Sequence, residues 1–76
     1  MPTLQELGQA VAKRRKSLGL RQGPIAALAG ISPETLSRFE RGHVAEFGTR
    51  KLLVVMEAVG IELQLLTPPD DDAPLP

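Results

Sequence analysis

The sequence predicts a small, mainly α-helical domain of four helices, followed by one short β-strand that pairs across a homodimer. Three observations predict this fold. Apolar residues recur at helical spacing in four successive segments, a glycine follows each segment, and a final apolar segment alternates with polar residues instead. The chain has 76 residues, of which 42% are hydrophobic, so it can bury one modest core. Association with a second copy would add stability.

The first two helices are expected between residues 4 and 29. Apolar residues at helical spacing extend from Leu4 to Leu18, with Thr3 as the N-cap and Gly19 as the C-terminal stop. A shorter helix is expected from about Gln22 to Ala29, and Gly30 ends it. These two segments supply the first half of the core.

The third and fourth helices follow the same logic. Ser32 is the expected N-cap of the third helix, Pro33 suits its first position, and Gly42 closes it. The fourth helix is expected over about Thr49 to Val59.

The segment "IELQLL" at residues 61–66 changes the period from helical to alternating, which is typical of a strand. A lone strand needs a partner for its backbone groups, and the chain offers no second strand. The same segment of a second copy would supply one, with a dimer interface formed by Ile61, Leu63 and Leu65. The alternatives are an extension of the fourth helix or an irregular arm. The domain would then span residues 1–67.

The charges are unevenly distributed along the chain. All nine Lys and Arg residues lie between residues 13 and 51, while the three aspartates stand together at 70–72. Without those aspartates, nine basic residues face six glutamates, which leaves a body of +3. Residues 68–76 form an acidic, proline-rich tail that we expect to be disordered. The basic run "KRRK" at 13–16, taken alone, also fits a merely solvated helix face.

Composition also argues against several classes of protein. The chain has no cysteine, no apolar run near the ~20 residues that span a bilayer, and no leader-like N-terminus, so we expect a cytoplasmic protein without a membrane partner. The single histidine, His43, lacks neighbours at metal-ligand spacing, and as a loop residue beside an unconstrained Ser it gives no oriented base. We therefore expect no metal, no cofactor and no enzymatic activity.

The second and third helices are both short and are separated by the turn "AGIS" at residues 29–32. This is helix-turn-helix spacing, in which the second helix enters the DNA major groove and the first crosses the backbone. Leu36 and Phe39 would hold the third helix to the domain. The opposite face would read base edges with Pro33, Glu34, Ser37 and Arg38.

The segment "LGLRQGPIAALAGISPETLSRFERG" resembles the Xre/Cro-type helix-turn-helix of phage repressors and bacterial regulators, over about residues 4–60. The resemblance implies a lambda-repressor-like fold and a structural ion pair between Arg15 and Glu40. Arg21 stands where the family usually has a Thr or Ser N-cap, so the second helix is expected to be less well capped. The ending "GIELQLL" is similar to that of HipB-type antitoxins, which implies strand pairing in a dimer and a HipA-type Ser/Thr kinase toxin as partner.

Other polar residues around the turn are expected to contact the DNA backbone. These residues are Arg21, Gln22, Thr35, Arg41, Arg50 and Lys51. Several roles stay open at this point: Arg38 could bind guanine or a phosphate, and Thr35 could offer a hydroxyl to phosphate or a methyl group to thymine. Glu34 could accept a bond from cytosine or only repel wrong registers.

The sequence thus predicts a homodimeric DNA-binding repressor that recognises a palindromic operator, as the autoregulating antitoxin of a HipBA-type operon. A solo Xre-type regulator without a toxin is the alternative within the same class. A helical protein-interaction adaptor that does not bind DNA is the alternative from another class.

Overall fold

The structure, a computed structural model, describes residues 2–64. They form four helices: α1 (Leu4–Ser17), α2 (Gln22–Ala29), α3 (Pro33–Glu40) and α4 (Thr49–Ala58). Each helix lies where the apolar periodicity predicts it. None of them is long and apolar enough to cross a membrane.

Side-chain caps fix the start of α1 and of α3. Thr3 accepts a hydrogen bond from the backbone N–H of Glu6, whose carboxylate accepts one from the N–H of Thr3, so a complete capping box opens α1. Ser32 accepts a hydrogen bond from the N–H of Thr35 and caps α3, with Pro33 in the first turn. Both helices therefore begin at the residues that the sequence indicates.

The core lies between all four helices. α1 packs against α3, and α2 packs against both α3 and α4. Its largest fully buried side chains are Phe39, Leu36, Val11, Val55 and Val59. Because these residues come from α1, α3 and α4 with its C-cap, the short helices gain their stability from packing rather than from length.

The crossing of α1 and α3 depends on one glycine. A Cβ on Gly8 would collide with the backbone carbonyl of Phe39. Gly8 is buried in α1, and the backbone of α3 lies directly against it. The absence of a side chain at Gly8 therefore allows the two helices to approach this closely.

The loop between α3 and α4 is attached to the core by aromatic stacking. The ring of Phe47 lies parallel to that of Phe39, with centroids 4.2 Å apart and an interplanar angle of 9°. Contacts between aromatic rings contribute to stability beyond the apolar area that they bury. This contact positions the loop that leads into α4.

The chain leaves α4 through a left-handed turn. Gly60 has φ +75°, and the N–H of Ile61 bonds back to the carbonyl of Met56 at 2.9 Å. Residues 61–64 therefore do not extend α4. They also form no strand within the described part of the chain. Ile61 is half-buried against the core, whereas Leu63 is 59% exposed.

The remaining parts of the C-terminal predictions fall beyond residue 64. The last two residues of the predicted strand, one of which is Leu65, lie outside the described residues, and so does the acidic tail. The pairing of the strand with a second copy stays a prediction.

Candidate nucleic-acid interface

The turn between α2 and α3 is closed by backbone geometry. Gly30 has φ +71° and lies in the left-handed region, where glycine carries no Cβ penalty. Its N–H bonds to the carbonyl of Ala27, and the N–H of Ile31 bonds to that of Ala26 at 3.0 Å. Ser32 then starts α3. The two short helices are thus joined by a defined turn and pack against each other.

The two faces of α3 are sharply different. Leu36 and Phe39 are fully buried. Pro33, Glu34 and Arg38 are exposed on the opposite side, while Ser37, on the same turn, is half-buried. Since residues 33, 34, 37 and 38 lie on one helical face, α3 presents them together. The four residues predicted to read bases share one surface.

The hydroxyl of Thr35 takes part in a local hydrogen bond with Ser32. Its Oγ1 lies 2.9 Å from Oγ of Ser32. Ser32 Oγ already accepts the N–H of Thr35, so Ser32 can donate its own hydrogen to Thr35. When Ser32 is the donor, the hydroxyl hydrogen of Thr35 is available to a phosphate oxygen.

A buried ion pair joins α1 to the end of α3. Arg15 Nε and Nη2 donate to the two carboxylate oxygens of Glu40 at 2.7 and 2.9 Å, a bidentate arrangement. Arg15 Nη1 also donates to the carbonyl of Leu20 at 2.9 Å. The hydrogen bonds to Glu40 raise the pKa of Arg15 although burial acts to lower it. The guanidinium of Arg15 is thus held inside the fold and is turned away from the surface.

Gln22 connects this ion pair to the surface. Its Nε2 donates to Oε1 of Glu40 at 2.9 Å, so the first residue of α2 lies beside the last residue of α3. A primary amide carries two hydrogens, and the second one remains for an acceptor such as a phosphate oxygen. Gln22 is half-buried, so this hydrogen lies close to the protein surface.

Arg21 and Arg41 flank the contact between Gln22, at the start of α2, and Glu40, at the end of α3. Arg21 is the N-cap of α2 and makes no side-chain cap hydrogen bond, so this helix is less well capped than α1 and α3, as expected. Arg41 follows α3, and its Nε donates to the carbonyl of Ser37 at 3.3 Å. Both side chains are exposed. Cations placed here can neutralise phosphates without entering the groove.

Arg50 and Lys51 occupy the first turn of α4, which has no acidic residue and no side-chain cap. Positive charge at a helix N-terminus opposes the helix dipole, so helix stability does not explain this placement. Within residues 2–64, neither side chain has a hydrogen-bond or ion-pair partner. Both remain available to an anion.

The basic run at residues 13–16 does not form a single surface. Arg15 is buried, and Arg14 Nε donates to the carbonyl of Val59 at 2.9 Å, which fastens α1 to the end of α4. Lys13 and Lys16 are exposed. Arg15 lies four residues after Val11 and therefore on the same face of α1. This spacing is the sequence signal that distinguishes the buried arginine from its exposed neighbours.

Residues 2–64 contain no group of three His, Cys, Asp or Glu side chains that could hold a metal ion. Every buried side-chain nitrogen or oxygen in this part of the chain has a hydrogen-bond partner. The polar interior is thus explained by the network around Glu40.

Comparison with known proteins identifies the fold family. No curated protein matches the chain. A family profile described as a helix-turn-helix domain matches residues 4–66, which is most of the sequence and includes all four helices. The profile extends through the turn after α2 and the exposed face of α3. The chain therefore belongs to the helix-turn-helix family of DNA-binding domains.

Proposed function

We propose that the protein is a sequence-specific transcriptional repressor that binds double-stranded DNA through α3. The observation that carries this proposal is the division of α3 into a fully buried apolar face and an exposed polar face. An exposed polar helix face that follows a short turn is the arrangement that enters a major groove. Arg38 would pair with guanine, and Pro33, Glu34 and Ser37 would line the rest of the contact.

The surrounding donors would hold the DNA backbone. The free amide hydrogen of Gln22 and the hydroxyl of Thr35 would donate to phosphate oxygens. Arg21, Arg41, Arg50 and Lys51 would add positive charge. The body charge of +3 supports this assignment, although the whole chain is formally neutral.

The repressor would act as a homodimer. The alternating segment at 61–66 has no partner strand within the described chain, and the exposure of Leu63 leaves an apolar side chain for a second copy to cover. A two-fold axis through paired strands would set two copies of α3 about 34 Å apart, which requires a palindromic operator.

The finer assignment is an antitoxin that represses its own operon and binds a HipA-like Ser/Thr kinase toxin. It rests on the similarity of "GIELQLL" to the end of HipB-type antitoxins, and the protein itself would have no enzymatic activity. A solo regulator would share the DNA surface and lack the kinase partner. A kinase encoded beside its gene that co-purifies with the protein would support the antitoxin, and the absence of such a kinase would support the solo regulator.

The primary test is selection of DNA from a random duplex pool, followed by affinity measurements at increasing salt. The proposal predicts enrichment of a palindromic site. Affinity should fall steeply with salt, because phosphate contacts release counterions. A protein-interaction adaptor would enrich no sequence. Absence of both enrichment and salt dependence would exclude the DNA-binding function.

A further inference from the structure

Two grooves of opposite charge meet at Ile61. One, the acidic groove, is lined by Leu53, Met56, Glu57, Gly60, Ile61, Glu62 and Leu63. The other, the basic groove, is lined by Ala10, Lys13, Arg14, Ser17 and Ile61. Ile61 belongs to both, so it forms the ridge between them. Neither groove includes a residue of the DNA-reading face of α3.

The charges in these grooves lack partners within the described chain. The only ion pair among residues 2–64 joins Arg15 to Glu40. Glu57 and Glu62 therefore face the acidic groove without a cation, and Lys13 faces the basic groove without a carboxylate. Arg14 uses one hydrogen for the Val59 carbonyl and keeps further donors.

The acidic groove also exposes apolar surface. Leu53 is 45% exposed and Leu63 is 59% exposed. Leu28, 65% exposed, borders a neighbouring groove that shares Leu53 and Glu57. Contiguous exposed leucines beside charged residues are typical of a surface that meets a protein partner. The shape of the two grooves and the charges that line them then determine which partner can bind.

We propose that these two grooves form one self-complementary interface for a second copy of the chain. A two-fold axis along the Ile61 ridge would bring the acidic groove of each copy against the basic groove of the other. Glu57 and Glu62 would then face Lys13 and Arg14 of the partner subunit, while Leu53 and Leu63 become covered. This inference rests on the proposed homodimer and adds the helical surfaces and charges that define it.

The acidic tail is the competing occupant, but it matches only half of this surface. Asp70, Asp71 and Asp72 complement the basic groove. They would be repelled by Glu57 and Glu62, and they would leave the leucines of the acidic groove uncovered. A second copy supplies both an apolar surface and both signs of charge. The second copy is therefore the better match.

A charge swap tests the interface directly. Sedimentation equilibrium without DNA gives the dimer dissociation constant of the full chain and of three variants: Lys13→Glu, Glu57→Lys, and the two together. Each single change places like charges opposite each other, so we expect about tenfold weaker dimerisation at low salt. The double variant restores opposite charges and should recover most of the affinity.

Lys16→Glu is the matched control, because it makes the same charge change on an exposed position of α1 outside both grooves. It should leave the dissociation constant within about twofold, as expected for an exposed charge without a partner. Thermal unfolding of every variant checks that the fold is intact. A swap that fails to restore dimerisation, or an effect of Lys16→Glu equal to that of Lys13→Glu, would overturn the proposal.

A chain ending at Thr67 distinguishes the tail from the second copy. If the tail fills the basic groove in place of a second copy, the groove plays no part in dimerisation. Lys13→Glu would then leave the dissociation constant of the truncated chain unchanged, and the proposal would be wrong. DNA affinity is measured separately. A monomer that binds selected DNA would refute the interface alone, whereas a dimer that is sensitive to the swap and binds no DNA would refute the proposed repressor function.

Discussion

Gln22 donates from Nε2 to the same carboxylate oxygen of Glu40 that accepts Nη2 of Arg15, with both contacts at 2.9 Å. One carboxylate thus joins three helices. It pairs with a buried cation of α1, ends α3 and holds the first side chain of α2. The position of the helix-turn-helix on the body of the domain and the position of a candidate phosphate donor therefore depend on the same group.

The first prediction concerns this ion pair. Arg15→Ala and Glu40→Ala should each lower the free energy of unfolding by about 3–5 kcal/mol, because the remaining partner would be a buried charge without compensation. Urea unfolding followed by circular dichroism measures the change. The double variant should lose much less than the sum of the single losses.

Arg21→Ala is the control for the ion pair, since Arg21 is exposed and makes no cap hydrogen bond. It should change stability by less than about 0.5 kcal/mol. If the losses in the Arg15 and Glu40 double variant are additive, the pair has no coupling energy, and the ion pair does not stabilise the fold.

The second prediction concerns Gln22. Gln22→Ala removes the amide hydrogen that would donate to a phosphate, so binding to the selected site and to random DNA should weaken equally, by about 1 kcal/mol. Fluorescence anisotropy on both duplexes measures this. Gln9→Ala, an exposed glutamine of α1, should change neither affinity. A loss confined to the selected site would assign Gln22 to base reading.

The third prediction concerns Arg38. If its guanidinium reads guanine, Arg38→Ala should cost about 1–3 kcal/mol on the selected site and relax preference at one base pair. Arg41→Ala provides the comparison, because a phosphate contact should weaken all sequences alike. Affinities across a panel of single-base variants separate the two patterns. Equal losses on every duplex would make Arg38 a backbone contact.

The sequence predicts the helices well because their signals are local. Ser32 with Pro33, and Gly30 before them, act within one turn of the chain, and the structure places the helix ends accordingly. The inward and outward faces of α3 follow from the same local periodicity. The helix-turn-helix could therefore be recognised before any contact was known.

Long-range features are harder to predict from sequence. The close contact of Gly8 with Phe39 and the bond from Arg14 to Val59 join residues far apart in the chain, so no local pattern indicates them. The two grooves at Ile61 likewise combine α1, α4 and the segment after α4. The predicted strand is a different case, since its partner strand would belong to another molecule. A single chain cannot provide the backbone hydrogen bonds that this strand needs.

The fourth prediction tests the close approach of α1 to α3. Gly8→Ala should lower the free energy of unfolding by about 1–3 kcal/mol, because its Cβ meets backbone that cannot rotate away. Gly23→Ala is a matched control in α2, where a Cβ would meet nothing within 4 Å. This control should leave stability unchanged or raise it by up to about 1 kcal/mol. Equal effects at both glycines would contradict the packing account.

The last prediction tests the dimer strand. In a pair of strands, Ile61, Leu63 and Leu65 from each copy would cover the helices of both subunits. Complete burial of one such side chain contributes about 1.5–3 kcal/mol, so partial burial of all six could dominate association. Leu63→Asp would place an unpaired carboxylate among them, and we expect a poorly folded monomer that binds DNA much more weakly.

Leu18→Asp is the control, since Leu18 is an exposed leucine at the end of α1, outside both grooves. Sedimentation equilibrium should show a dimer for this control and a monomer for Leu63→Asp. DNA affinity should follow the same order, because a monomer engages only one half of a palindrome and loses the contribution of the second α3. If Leu63→Asp still sediments as a dimer, the segment at 61–66 is not the interface, and the operator need not be palindromic.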